Sequence, residues 1–377
     1  MTALRSYPIA RLRSALFGIA TRRAVTDYLK MIVLISFLLL MIAWTIDLAE
    51  HFPSLRRAAG ESGTPLLSLA LPYLGHRAVD ILARMLPIAC FFGVFLAEIV
   101  RRERLETVVL VTSGASPWRM FAAVLWVGLF TGAVLDGLEA RWRPAAVWTQ
   151  VETGFGDYAR RFRQDWLQGE HWFVSGDTAL RGEVLRADPP EMRNVLVFVG
   201  IRAPRLKAIY AAERMVPGRE PIQWTLLDGY AWELQQNGQS LEFEDFPITL
   251  ELLPQNLTYL GVPEFYLPQD ALLWLDALPN YRNAAKVDVA LWRRMTVWLA
   301  AVSFAFLGVV LAQAGYTGRQ MMIARLIGLA AMGYSAVVSL KVFWALGELG
   351  VLSAPLATLG APVLGLAIAW VFLRKMA

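Results

Sequence analysis

The sequence predicts a membrane bundle of six transmembrane helices with an all-β domain inserted between the third and the fourth helix. Three observations predict this fold class. The hydrophobic fraction is 56%, above the roughly 45–50% of a typical soluble domain. The apolar residues are concentrated in blocks long enough to cross a bilayer. A charged section with strand-like alternation separates these blocks into two groups of three.

The six apolar blocks each approach the 20 or so residues that a membrane helix needs. The first span is predicted at 28–48 and follows several arginines, so it resembles the start of a signal peptide. Because residues 31–46 carry no small-residue cleavage site, we interpret this span as a retained signal anchor. The second span is predicted to end in the apolar block 85–100. The other four spans are predicted at 120–138, 292–312, 324–346 and 352–373.

The basic residues orient these helices, because Lys and Arg in short loops are retained in the cytoplasm. If the helices alternate, the basic stretches at 11–23, 101–104, 319–325 and 374–375 fall on one side. This predicts cytoplasmic termini and places the insert on the opposite side. The predicted domains are an N-terminal membrane half (1–138), a β domain (139–268), and a C-terminal half (269–377) that begins with a short interfacial helix.

The insert alternates apolar with polar residues at 171–176, 194–201, 222–234 and 240–253, with turn signals such as Asn237-Gly238 between the segments. Consecutive strands without crossover helices favour a sandwich or an open jelly roll. Cys90 is the single cysteine, so an intramolecular disulfide is excluded.

Several function classes find no support in the sequence. It contains no GxxxxGK[ST] phosphate loop and no GxSxG nucleophile motif. Three histidines and one cysteine are too few for a plausible metal cluster. The net charge of +5 follows from basic residues beside the spans and does not indicate nucleic acid. We therefore expect no cofactor and no enzymatic activity, and any energy source in another chain.

The stretch RRERLETVVLVTSGASP (101–117) lies between two apolar blocks and is predicted to face the cytoplasm. A helix over about 103–113 would place two carboxylates near its N-terminus, where the helix dipole favours them. Ser113-Gly114 would then end the helix. The segment is either an ordinary membrane-surface turn or a helix that couples the chain to a cytoplasmic ATPase. The coupling candidates are Glu103, Leu105, Glu106, Val109, Ser113 and Gly114.

The part LETVVLVTSGAS (105–116) is similar to the E-L-x-x-x-x-A-S-G-x-S segment of the lipopolysaccharide-export permeases LptF and LptG. The order of three spans, a β-jellyroll and three spans agrees along nearly the whole chain, as does the tract LWRRM at the fourth helix. The turn LGELGVLSAP and the ending just after the sixth span look more like LptG than LptF. Thr107 and Thr112 depart from the usual aliphatic residue and alanine of the motif.

This resemblance implies a permease of the Gram-negative inner membrane with a periplasmic β domain. In such a system a second permease, LptF, pairs with the chain and an LptB dimer supplies ATP hydrolysis. LptC then receives the lipopolysaccharide. By motif position, Glu106 would engage the ATPase groove and Gly114 would close the helix.

Lipopolysaccharide presents phosphates above its acyl chains, so a binding wall needs cations above an apolar surface. Ionisable residues inside spans are costly and usually face a cavity or a partner. Arg84 could equally form an i,i+4 ion pair with Asp80 and have no role in ligand binding. Arg141 and Arg143 are also compatible with a role as anchors at the membrane interface. The lipid-binding candidates are Trp44, Asp47, Arg77, Arg84, Arg141, Arg143 and Lys341.

Two other function classes stay open on the sequence. The chain could be a mechanotransmitting membrane protein that relays the motion of an ATPase to a periplasmic partner without moving lipid. It could also be a membrane-bound enzyme with a catalytic β domain, although no catalytic constellation emerges from the sequence.

Overall fold

The computed structural model describes residues 16–106, 109, 112, 118–153, 158, 162, 169–185, 189–202, 206–220, 222–233, 240–277, 283–317 and 320–376. The chain divides into two compact units. The membrane unit comprises Met1–Thr149 and Glu264–Ala377, and the β unit comprises Gln150–Pro263. The β unit is therefore shorter at both ends than the domain 139–268 expected from the sequence.

The N-terminal half of the membrane unit is built from long helices. Helices α1 (Ile19–Ser62) and α2 (Leu66–Glu103) are separated by Gly63, whose φ of +64° suits a residue without a side chain. Helix α3 (Trp118–Gly137) continues through a π-helical turn (Leu138–Trp142) into α4 (Arg143–Thr153).

Helix therefore occupies most of 50–71, beyond the first predicted span, and the start of the predicted β domain at 139–153. Both stretches are too polar to continue a membrane span. Their Leu, Ala, Arg and Glu residues nevertheless favour helix, so each span extends beyond its apolar block.

The β unit contains a six-stranded antiparallel sheet in which the described strands are neighbours in chain order. The expected all-β insert is thereby confirmed. Consecutive pairing is a meander, whereas a jelly roll needs Greek-key connections, so the finer expectation is not confirmed. The strands are β1 (His171–Ser175), β2 (Thr178–Leu185), β3 (Glu191–Val199), β4 (Ala208–Pro217), β5 (Gln223–Glu233) and β6 (Ser240–Thr249).

One face of this sheet carries the core of the β unit. Val197, Tyr210 and Ala231 are opposite one another on neighbouring strands, and all three are buried. Trp224 is fully buried and donates its indole N–H to the carbonyl of Leu252 at 2.7 Å. The segment that follows β6 therefore closes over this face of the sheet.

The turn between β1 and β2 is tied to the turn after β3 by Asp177. Its carboxylate accepts the backbone N–H of Arg202 at 2.9 Å and the ammonium of Lys207 at 3.1 Å. These hydrogen bonds lower the pKa of Asp177 below its ordinary value. This end of the sheet is thus held by a charged carboxylate at neutral pH.

The remaining elements complete the bundle. A short helix (Gln269–Asp276) lies where the sequence predicted one, at the start of the C-terminal half. The elements in chain order are α5 (Pro254–Thr258), a 3₁₀ turn (Glu264–Tyr266), α6 (Gln269–Asp276), α7 (Ala284–Ala314), the hairpin β7 (Tyr316–Thr317) and β8 (Gln320–Met321), α8 (Ile323–Glu348) and α9 (Ala354–Met376).

Within the described ranges, six helices are long and apolar enough to cross a membrane; three precede the strands β1–β6 in the sequence and three follow them. This confirms the predicted fold class. Most of the apolar window of α7 is buried, whereas little of α1 is. Helix α7 packs against α2, α3, α8 and α9 and is therefore the centre of the membrane unit.

Helices α3 and α7 approach closely at two glycines spaced as GxxxG. A Cβ atom at Gly128 would lie 2.7 Å from the Cα of Val302, and one at Gly132 would lie 2.7 Å from the carbonyl oxygen of Trp298. Small residues permit this approach of membrane helices, which gains van der Waals contact between the two backbones.

We predict that Gly132→Ala destabilises the membrane unit, because the added methyl group has no space against α7. Overpacking of this kind costs about 1–3 kcal/mol. The melting temperature of the detergent-purified protein should fall. Gly328→Ala in α8 is the matched control, since a methyl group there would meet no described residue of another element within 4 Å. An equal fall for both variants would contradict the prediction.

Candidate functional site

A network of buried charges begins on helix α1 at Asp47. Its carboxylate accepts the hydroxyl of Tyr73 at 2.6 Å and Nε of Arg77 at 2.6 Å, both from α2. Asp47 and Tyr73 are only 6% and 3% exposed. Charges inside a bundle are costly unless they are paired, so these contacts fasten α1 to α2.

Asp80 lies one turn further along α2 and is the centre of the network. Its carboxylate accepts Nη2 of Arg84 at 2.9 Å and Nε of Arg143 at 2.8 Å, and Nη1 of Arg77 lies 3.4 Å away. Arg84 also donates to the hydroxyl of Tyr266 at 2.9 Å. Asp80 therefore connects α2 with α4 and with the 3₁₀ turn.

Glu139 extends the network from the π-helical turn to α7. It accepts Nη1 of Arg143 at 3.0 Å and Nη2 of Arg293 at 2.6 Å. The guanidinium of Arg293 lies 3.7 Å from the centroid of the Trp344 ring in α8, a cation–π contact. We refer to Asp47, Arg77, Asp80, Arg84, Glu139, Arg143 and Arg293 as the Asp80 cluster.

Three of the lipid-binding candidates make ion pairs within the membrane unit. Asp47, Arg77 and Arg143 make ion pairs with other members of the Asp80 cluster. Arg143 is only 2% exposed. Their role in lipid binding stays a prediction. The alternative pairing of Arg84 with Asp80 is present in the structure.

Other candidates lie at the surface. The side chain of Arg84 is 38% exposed, and Lys341 and Arg141 are exposed. Lys341 lies within electrostatic range of Arg84, Arg143 and Arg293. Trp44 is half-buried, and its indole N–H has no hydrogen-bond partner among the described residues.

The coupling candidates lie where α2 ends. Glu103 is the last residue of α2, and Leu105 adopts a left-handed conformation with φ of +58°. Helical residues resume at Glu106, and the N–H of Val109 bonds the carbonyl of Leu105 at 2.9 Å. The helix predicted from Glu103 is therefore broken at Leu105. Ser113 and Gly114 lie outside the described residues.

The carboxylate of Glu106 contacts two arginines. Oε1 lies 2.7 Å from Nη2 of Arg23, and Oε2 lies 3.5 Å from Nε of Arg101. The Glu106 side chain is 20% exposed. An acidic group with cationic neighbours thus lies at the end of the bundle where α2 meets this segment.

Sequence reasoning missed several members of the Asp80 cluster. Glu139 and Arg293 are 154 residues apart in the sequence. Tyr266, which bonds Arg84 from outside the cluster, is 182 residues away from it. The ends of the apolar blocks did not reveal these pairings. The available signal was the presence of charged residues beside apolar spans, which predicts partners without identifying them.

Six membrane-length helices, an inserted antiparallel sheet and paired charges inside the bundle are features of a multi-pass membrane protein. Among the described residues, no group of three or more His, Cys, Asp or Glu side chains could hold a metal ion. The fold and the buried site fit the membrane subunit of a transporter.

Residues 24–375 match the sequence model of a protein family described as lipopolysaccharide export system permease LptF/LptG. The chain belongs to this family of inner-membrane permeases, and the resemblance found in the sequence is confirmed. No curated protein gives a significant match. The choice of LptG over LptF stays a prediction.

We predict that Arg143→Ala strongly destabilises the protein, because it removes a partner from the buried carboxylates of Asp80 and Glu139. Breaking a buried ion pair in this way costs about 3–5 kcal/mol. Thermal unfolding in detergent measures the change. Arg141→Ala removes the same charge from an exposed neighbour and should change stability by no more than about 0.5 kcal/mol. A similar loss in both variants would contradict a structural role specific to Arg143.

Proposed function

We propose that this chain is the LptG-type permease subunit of an ABC-type extractor that moves lipopolysaccharide from the inner membrane towards a periplasmic bridge. The paired permease would be LptF, the energy source an LptB dimer in the cytoplasm, and the acceptor LptC. The termini and the segment with Glu106 would then face the cytoplasm, and the β unit the periplasm. Membership of the export permease family supports this proposal.

The observation that carries the coupling role is the position of Glu106 between two membrane helices. Glu106 is itself helical and follows the break in the helix at Leu105. Leu105 and Val109 are 50% and 62% exposed, so apolar side chains flank the carboxylate. An acidic group with exposed apolar neighbours is suited to docking in a groove that carries a basic residue.

The ATPase would be a separate chain, since the sequence contains no phosphate-binding GxxxxGK[ST] loop. ATP binding would bring the two permeases together, and the segment with Glu106 would transmit this movement to the spans. The cavity between the permeases would then narrow and expel the lipid.

For the lipid headgroup we propose contacts with Arg84, Arg141 and Lys341, whose side chains reach the surface. The positive charges of Arg84 and Lys341 are near enough to interact electrostatically. Phosphates favour such cations, and arginine binds them with a planar fork. The buried arginines would fix the helices that carry these residues.

For the acyl chains we propose the second face of the sheet. Trp172 and Val174 are 57% and 67% exposed there, on the edge strand β1. Trp172 stacks on Phe198 with ring centroids 5.9 Å apart. Exposed aromatic residues on a sheet face are typical of an apolar binding surface.

A mechanotransmitting protein that moves no lipid is the second candidate function. It is favoured by the Asp80 cluster, because hydrogen-bonded charges there connect α1, α2, α4 and α7. Such a network stiffens the bundle and suits the transmission of force.

We predict that Glu106→Lys abolishes association with the ATPase and lipopolysaccharide export while membrane insertion stays intact. The lysine would face Arg23 and Arg101 and would repel a basic residue on the partner. Co-purification and an export assay measure the two effects. Glu61→Lys reverses an exposed charge at the far end of α1 and should leave both unchanged. Full export by the Glu106 variant would exclude the coupling role.

We predict that a photo-crosslinker at Lys341 forms an adduct with lipopolysaccharide in the working complex. An extractor brings the headgroup past this residue, whereas a pure transmitter gives no adduct. Trp44 on α1 is a second labelling position. Leu366, 45% exposed on α9, is the control for general contact with membrane lipid. Equal labelling at Lys341 and Leu366 would favour the transmitter.

A further inference from the structure

A second buried network lies near the C-terminal end of α2, around Glu98. Its carboxylate accepts the hydroxyl of Tyr28 in α1 at 2.6 Å and Nε2 of Gln313 in α7 at 3.3 Å. Glu98 and Tyr28 are both 0% exposed. One buried carboxylate therefore joins three membrane helices.

Arg101 connects this network to Glu106. Its Nη1 donates to the hydroxyl of Tyr28 at 2.9 Å and to Glu98 at 3.3 Å. Its Nε lies 3.5 Å from the carboxylate of Glu106. The Arg101 side chain is 5% exposed. A single buried guanidinium thus contacts both the interior of the bundle and the candidate docking residue.

Arg23 holds the other oxygen of Glu106 in a different environment. The two side chains are 2.7 Å apart, but Arg23 is 67% exposed. Exposed ion pairs contribute little free energy because water screens them. Removing Arg101 from Glu98 would instead break a buried ion pair, which costs much more free energy. An incoming cation would therefore displace Arg23 much more readily than Arg101.

We propose that Arg23 is an exchangeable placeholder on Glu106 and that Arg101 is a positioning residue that connects Glu106 to the buried Tyr28–Glu98 pair. This inference rests on the proposed docking of an ATPase at Glu106. A basic residue of the ATPase replaces Arg23, while Arg101 keeps the carboxylate tied to the bundle. Movement of the docked segment then acts directly on α1, α2 and α7.

The arrangement separates binding from transmission. Arg23 competes with the ATPase for the same carboxylate oxygen and so lowers the affinity of docking. Tyr28 acts after docking, because its hydroxyl joins the guanidinium of Arg101 to Glu98. The two residues should therefore affect different measurements when they are changed one at a time.

The first test measures the affinity of the ATPase for the full permease complex in nanodiscs. Arg23→Gln should tighten docking by about two- to fivefold, the range that loss of an exposed competing ion pair allows. Arg22→Gln on the neighbouring exposed arginine is the control and should leave the affinity unchanged. Equal or weaker docking of the Arg23 variant would overturn the placeholder role.

The second test measures lipopolysaccharide released per ATP hydrolysed. Tyr28→Phe removes one buried hydroxyl and should lower this ratio about fivefold or more, since hydrogen bonds to charged groups are strong. Docking affinity should stay within about twofold of the unmodified complex, because the exposed face of Glu106 is unchanged. An unchanged ratio would overturn the positioning role of Arg101.

Tyr316→Phe is the matched control for Tyr28→Phe. The Tyr316 hydroxyl lies 3.5 Å from the carbonyl oxygen of Ile99, while its ring stacks on the guanidinium of Arg102. The variant keeps that ring and should preserve the ratio. A fall as large as in Tyr28→Phe would show a general loss of packing and would also overturn the positioning role.

Glu106→Lys in the same affinity assay distinguishes failure of this inference from failure of the proposed function. If Glu106→Lys docks normally, the proposed docking site and the inference fall together. If Glu106→Lys does not dock while Arg23→Gln docks no more tightly, the docking site stands and the placeholder role alone is overturned.

Discussion

The carboxylate of Asp80 constrains much of the membrane unit, because a charge that is 1% exposed among apolar helices needs partners of opposite sign. Those partners come from Arg84 on its own helix and from Arg143 on α4. Arg143 in turn requires Glu139, and Glu139 receives Arg293 from α7. Hydrophobic contact alone discriminates poorly between membrane helices, since lipid is equally apolar. The chain of paired charges therefore fixes which faces of the helices meet.

Helix α2 takes part in both buried networks. Asp80 and Glu98 are 18 residues apart on this helix, or about 27 Å along its axis. Each carboxylate joins α2 to other helices through hydrogen bonds from charged, phenolic or amide groups. Helix α2 is therefore held to its neighbours at two separate levels of the bundle. This property suits a chain in which events at one membrane face must affect the other.

The general architecture could be predicted from the sequence because apolar block length and strand alternation are local signals. The extents of the helices could not, since polar helix formers extend α1 past its apolar block. Glu106 was identified by motif, but its contacts with Arg23 and Arg101 depend on the fold. The ion pairs of Asp47 and Arg143 likewise depend on the fold. Sequence shows that a charge lies beside a span, whereas only packing shows whether it faces lipid or another charge.

The π-helical turn at Leu138–Trp142 has a consequence for the permitted length of the chain. A π turn is in effect one residue inserted into an α-helix, and each residue rotates the helix by about 100°. The extra residue is taken up within this turn, so the helix on either side keeps its orientation and Arg143 faces Asp80. A change of one residue elsewhere between α3 and Arg143 would instead rotate Arg143 away from Asp80, so the chain between them permits little variation in length.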